Sequence, residues 1–385
     1  MSLQDRLNKI MAQKRGFTDV VLEENSCILN DLRNEIINDN TIVVIESHKK
    51  HAEVYPSIIH YFLELGFNVH LYCLKEHLKE NSLCRVQFDS SKFKIFAFPI
   101  MPESDEFFEH LTKYKYIFID TIFTHDGYNF INALDKGYSQ KYNKDNVYCI
   151  DHDFVSVQKG IETIEQRMIA NNKTFVLRDK IEILGKKLPF VVPSWFGNYS
   201  IPQKNDKTHF ISVGGGYQNN LRNFRLLFNS IDKLIDNGEV NFDVTFIGAT
   251  KEMLKDLITS KNEKFLNILG FTDFFTLYNS VEQSHFLLYN IDDTCNEYEK
   301  YLNTGVSGSY ALGLGFSKPA IIFEQMVDVY GLRNVSLTYG KDLYSTMQKA
   351  ICMNNNDYQK ICSDLAILNK NLMTQSFNNM NGVFK

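Results

Sequence analysis

Short runs of β-branched and aromatic residues, apolar on both faces, alternate along this chain with longer stretches of helical periodicity. TIVVIE (41–46), NVHLYC (68–73), KIFAFP (94–99), YIFID (116–120), VYCID (147–151) and TFVL (174–177) predict strands, with FVVP (190–193) a short seventh. EVYPSIIHYFLELG, between the first two, predicts a helix stopped at Gly66. A strand with no polar face must be covered on both sides, so the pattern demands a parallel sheet between helices.

The second half repeats the pattern. HFISV (209–213), FDVTFIG (242–248), FLNILG (265–270), HFLLYNI (285–291) and PAIIF (319–323) predict strands. NLRNFRLLFNSIDKLIDNG predicts a helix with Leu221, Phe224, Leu227, Phe228, Ile231 and Leu234 on one face, and DYQKICSDLAILNKNLMT predicts a last long helix. Between the halves, PSWFGNYSIPQKNDKT (193–208) is polar, holds two prolines and has no periodicity, which predicts a boundary there. The expectation is an α/β protein of two domains, 1–195 and 196–385, facing each other across a cleft. Ligands of such sheets bind beyond the carboxyl ends of the strands.

Composition removes several function classes. With 44% hydrophobic and 23% charged residues the chain is not disordered as a whole. A net charge of −5, from 41 basic against 46 acidic residues, argues against gripping nucleic acid by bulk charge. The seven cysteines form no CxxC pair, which fits a reducing cytoplasm better than a disulfide framework or a zinc ribbon. No apolar run approaches the length of a membrane span. Near the N-terminus, Leu3, Leu7, Ile10 and Met11 fall at helical spacing among Arg6, Lys9, Lys14 and Arg15. Two readings stay open: a helix packed on the body of the protein, or a foot on an anionic membrane surface.

Four constellations are suited to chemistry. Gly214-Gly215-Gly216 stands between a strand and a helix, where backbone N–H groups can approach an anion, with Arg222 and Arg225 close by. It is neither GxGxxG nor a P-loop. In NTGVSGSYALGLGFSKPAII, Ser307, Gly308 and Ser309 predict a helix start with Ser as N-cap, a second turn suited to phosphate. The loop Glu46 to Glu53 concentrates titratable groups, among which His51 or Glu53 could serve as general base or orient a hydroxyl. Asp151-His152-Asp153, at a strand end, reads either as a metal clamp or as a catalytic His–Asp pair; His125-Asp126 forms a similar pair. Each has a bland alternative, a tight turn, an exposed loop or a helix cap.

These runs resemble the GT-B glycosyltransferases, which use nucleotide sugars. ISVGGGYQNNLRNFRLLFNSI is similar to the strand, turn and helix opening a GT-B donor domain. LLYNID with YLNTGVSGSYALGLGFSKPAII is similar to its donor-site segment, HAEVYPSIIHYFLELGFNVHLY to the acceptor-side helix and strand, and Cys149 to Asp153 to a strand ending in a His–Asp pair. The resemblance implies two Rossmann-like domains and transfer of a sugar from a nucleotide diphosphate donor to a glycan, lipid-linked or protein hydroxyl, in surface polysaccharide or glycoconjugate synthesis. It implies no metal and no other cofactor, a cytoplasmic place peripheral to the inner face of the membrane, and no nucleic-acid partner. It puts Gly214, Gly215, Gly216, Arg222, Thr304, Ser307, Gly308 and Ser309 on the donor diphosphate side. His152, Asp153, His51 and Glu53 fall on the catalytic side. The sequence departs from the family where many retaining members carry two glutamates separated by seven residues; counted back from Pro319, Thr304 and Leu312 stand there. A nucleotide-sugar 2-epimerase of the same fold and a non-catalytic GT-B-like subunit are the alternatives.

Overall fold

The computed structural model describes residues 27–49, 51–122, 130–152, 154, 164–205, 207–215 and 220–385. The basic segment at the N-terminus, His125-Asp126, Asp153 and Gly216 lie outside the described residues.

Each half folds around a parallel sheet of six strands. The first holds β1 (Thr41–Glu46), β2 (Asn68–Leu74), β3 (Phe93–Phe98), β4 (Tyr116–Ile122), β5 (Val147–Asp151) and β6 (Thr174–Phe175), ordered β3-β2-β1-β4-β5-β6. A two-stranded hairpin, β7 (Glu182–Ile183) and β8 (Lys186–Lys187), follows. The second sheet holds β9 (Thr208–Val213), β10 (Phe242–Ile247), β11 (Leu266–Gly270), β12 (Phe286–Leu288), β13 (Ala320–Phe323) and β14 (Ser336–Tyr339). Its order, β11-β10-β9-β12-β13-β14, repeats that of the first. In both, the direction of strand addition reverses beside the opening strand, leaving a crevice at the carboxyl ends.

The apolar runs form strands because their residues are covered on both faces; every residue of β1 is buried. Five helices matter below. The first, α1 (Tyr55–Glu64), lies between β1 and β2 and carries Pro56 in its first turn, where a missing N–H costs nothing. The second, α2 (Phe224–Asp236), is capped by Asn223, whose side chain accepts from Leu226 N at 2.9 Å. Two short helices, α3 (Tyr298–Asn303) and α4 (Gly308–Gly315), run between β12 and β13. The long α5 (Asn355–Phe384) closes the chain.

Three expectations change. FVVP makes only the isolated bridge Val176–Phe190, because Val192 N turns to Ser376 Oγ (2.9 Å) on α5 instead of to a strand. The partly exposed β14 and the hairpin were not anticipated. The last helix runs ten residues beyond Thr374 and crosses back: Tyr358, Cys362 and Leu365 lie in the core of the second half, but Met380 and Phe384 lie in that of the first. Along the way Asn369 Oδ1 accepts from Ser194 Oγ (2.6 Å), and Asn379 Nδ2 donates to Phe190 O (2.8 Å). The connecting stretch is thus strapped along one side. Arg85 of the first half pairs with Glu282 and donates to Asn279 Oδ1 (3.1 Å), fastening the halves elsewhere. Among the described residues no helix is long and apolar enough to cross a membrane.

Candidate functional site

Strands β1, β4 and β5 lie side by side, so their carboxyl ends bring Glu46, Thr121 and His152 together. Glu46 is fully buried; Oε1 accepts from His48 N (2.7 Å) and Oε2 from Thr121 Oγ1 (2.6 Å). Asp120 is buried beside it, with neither carboxyl oxygen hydrogen-bonded among the described residues. Burial, and then the neighbouring Asp120, push the Glu46 carboxyl well up; burial also pushes Asp120 well up. Two carboxyls in one dry site disfavour each other's charge, so burial and the pairing both act toward the protonated form.

The Thr121 hydroxyl donates its proton to Glu46, so its oxygen can only accept from His152 Nε2, 3.4 Å away. An Nε2–H donated to Thr121 would leave a lone pair on Nδ1 of a neutral His152. Burial first, and then the His51 charge, hold the imidazole well below its ordinary range, so it is neutral at pH 7. The His51 ring lies 4.6 Å from that of His152, on a backbone at φ +76°. Its Nδ1 is 3.4 Å from Glu53 Oε1. Burial raises the Glu53 carboxyl, but the hydrogen bond and charge of His51 outweigh it and leave it below the usual carboxylate value. Asp151 closes a turn by accepting from Phe154 N (3.1 Å).

The opposite wall is built from two turns of the second half. Gly214 follows β9 at φ +107°, and a Cβ there would meet Arg222 Nη2 at 2.8 Å. A Cβ at Gly215 would run into the carbonyl of Gly248, in the turn after β10. Only glycine allows both approaches. Arg222, just before α2, is buried; Nη1 donates to Tyr289 O (2.5 Å) and Nη2 to Ser307 Oγ (3.3 Å). Arg225, one turn-position on, is exposed. Ser307 caps α4 as its spacing predicts, its Oγ also accepting from Ser309 N (3.3 Å). Ser309 Oγ is buried with no hydrogen-bond partner among the described residues, an orphan at the first turn of the helix. Thr304 is buried at the end of α3, where its N–H donates to Lys300 O (2.9 Å).

The walls meet. A Cβ on Gly308 would lie 3.9 Å from Glu53 Oε1, and the charge of Lys300 on α3 depresses His152 further. The structure therefore gathers His51, Glu53 and His152 on one side and Gly214, Gly215, Arg222, Ser307, Gly308 and Ser309 on the other. Sequence reasoning counted Glu46 in the titratable loop without giving it a role and passed over Asp120 and Thr121, although the acid at the end of YIFID was a visible signal. Among the described residues no three metal-ligating side chains converge.

No protein-family model and no curated protein matches this chain. Solved structures do. An α,α-trehalose-phosphate synthase (UDP-forming) from Burkholderia xenovorans, in complex with glucose-6-phosphate, is similar at TM-score 0.54 and 9% identity, over 90% of this chain and 100% of that one. An α-glucosyltransferase in complex with UDP and a 13-mer DNA is similar at TM-score 0.52 and 12% identity, over 89% and 95%. A trehalose 6-phosphate synthase from Burkholderia multivorans is similar at TM-score 0.52 and 8% identity, over 90% and 97%. In its two repeated sheets and the crevice between them, this chain has the GT-B fold of glycosyltransferases.

Proposed function

We propose that the protein transfers a sugar from a nucleotide diphosphate donor to a hydroxyl acceptor. One observation carries the reading: Arg222 joins both anion-suited turns, Gly214 and Ser307, into a single constellation opposite the His51, Glu53 and His152 cluster. The N–H groups opening α4, the Ser309 hydroxyl and the Arg222 charge would hold the diphosphate and stabilise the charge it gains as the anomeric C–O bond breaks. The acceptor oxygen would attack the anomeric carbon while its proton passes to a base of the first wall. His152 suits that step best, being neutral with Nδ1 free of the Thr121 contact. UDP, which accompanies one of the similar folds and is formed by another, is the first nucleotide to try. We assign the acceptor to surface polysaccharide or glycoconjugate synthesis on resemblance alone.

The test is calorimetry and thermal shift with UDP, other nucleoside diphosphates and their sugars. Saturating ligand is expected to raise the apparent stability of the wild type. Arg222→Ala, or Arg222→Lys if the alanine variant fails to fold, should lose most of that shift. No shift with any nucleotide would turn the reading toward a non-catalytic subunit. A product formed without acceptor would turn it toward an epimerase.

A further inference from the structure

Arg178 belongs by chain position to the first half, three residues past β6, yet its side chain is buried against the second. Nη2 donates to Leu302 O (2.8 Å) and Asn303 O (3.1 Å), carbonyls in the last turn of α3 that the helix itself leaves unpaired. The guanidinium also lies 5.6 Å from the centre of the Tyr330 ring. The Tyr330 hydroxyl accepts from Ser307 N (3.4 Å), and its ring packs at 5.1 Å against Tyr310 in the opening of α4. Residues 303–307 are therefore held at both ends by one side chain, directly at the start and through Tyr330 at the finish.

An arginine suits this place for physical reasons. Its fork takes two carbonyls while its face lies on an aromatic ring, which a lysine cannot do together. A helix C-terminus favours a positive charge. Among the described residues the hydrogen bonds of Arg178 go to backbone carbonyls alone, those of Asp179, Leu302 and Asn303; burying a charge this way is costly, and a plain fastener between the halves would not need it.

We propose that Arg178 is a positioning residue of the second wall, transmitting the placement of the two halves to the turn that presents Ser307 and Ser309. The proposal rests on reading that turn as the diphosphate site, but its first readout does not. In the protein without ligand, Arg178→Gln should speed amide hydrogen exchange at residues 303–310 by about tenfold or more, with β9 and β10 exchanging as in the wild type. With UDP as probe, the same variant should bind about tenfold more weakly. Tyr330→Phe keeps the ring and removes the oxygen that accepts from Ser307 N, so it should show part of both effects. The double variant should be no worse than Arg178→Gln alone. If the glutamine variant does not fold, Arg178→Lys must show the faster local exchange. Unchanged exchange at 303–310, or fully additive effects, would overturn the proposal. A wild type that binds no nucleotide would sink the diphosphate reading and leave the exchange comparison to decide the role of Arg178.

Discussion

The residues following β1, 47–49 and 51–53, and those following β9, 214–215 and 220–223, occupy the same place in two sheets of identical strand order. Their chemistry is opposite. The first loop presents His51 and Glu53 to His152 beside a buried carboxyl pair, a surrounding suited to proton transfer. The second follows a strand ending in Val213 and presents glycine backbone and one arginine, a surrounding suited to an anion. The architecture sets where a ligand lies, and loop composition sets what happens to it.

If that division holds, the largest effect belongs to His152→Ala, which should lower kcat by about 10²–10⁴-fold and leave UDP affinity at the wild-type value. An equal loss of nucleotide binding would break the division. The wild-type rate should be flat around neutral pH and fall only in acid, below the ordinary histidine range, because His152 is held down. His51→Ala removes a repelling neighbour, so the acid limb should move to higher pH; movement the other way would count against the pairing.

Next in size is Phe384→Ala, expected to cost about 3 kcal/mol in denaturant unfolding because a fully buried ring leaves a cavity beneath the first sheet. A loss below 1 kcal/mol would show that the first half does not depend on α5. Ser309→Ala should weaken UDP by roughly threefold to tenfold with kcat nearly unchanged. A change confined to kcat would move Ser309 to the other side of the comparison.

The smallest effect probes the carboxyl pair. A carboxyl raised by burial keeps in the folded state a proton that the unfolded chain loses above about pH 4. Its contribution is therefore complete below that value and is lost as pH rises toward the raised one. Asp120→Asn should stabilise the fold at pH 7 by about 1 kcal/mol, with the gain growing toward pH 8. A gain that shrinks as pH rises would exclude a raised Asp120 carboxyl.

Much of this was legible in the chain. The strands of both six-stranded sheets except β14, the glycine turn after β9 and the Ser307 cap followed from local pattern, because each rests on residues adjacent in sequence. What stayed hidden depends on contacts between distant segments. Arg222 and Arg225 read alike until packing turns one inward to Ser307 and the other to solvent. The last turns of α5 run through Asn378, Asn379, Asn381 and Gly382, poor helix formers that gave no helical signal. They are helical because Met380 and Phe384 are buried on a sheet some 200 residues earlier in the chain. Arg178 shows its role only where it meets Tyr330.

That return of α5 bears on how the protein is made. The strands of the first sheet are complete by Phe175, but Phe384, which packs on Phe62, Phe118 and Phe175, is synthesised some 200 residues later. At about 5–20 residues per second, roughly 10–40 s separate the two events, and the first half spends them with an apolar face uncovered. Although the first half precedes the second, its core is complete only once the end of α5 has been made, and chaperone capture during translation should be concentrated on it.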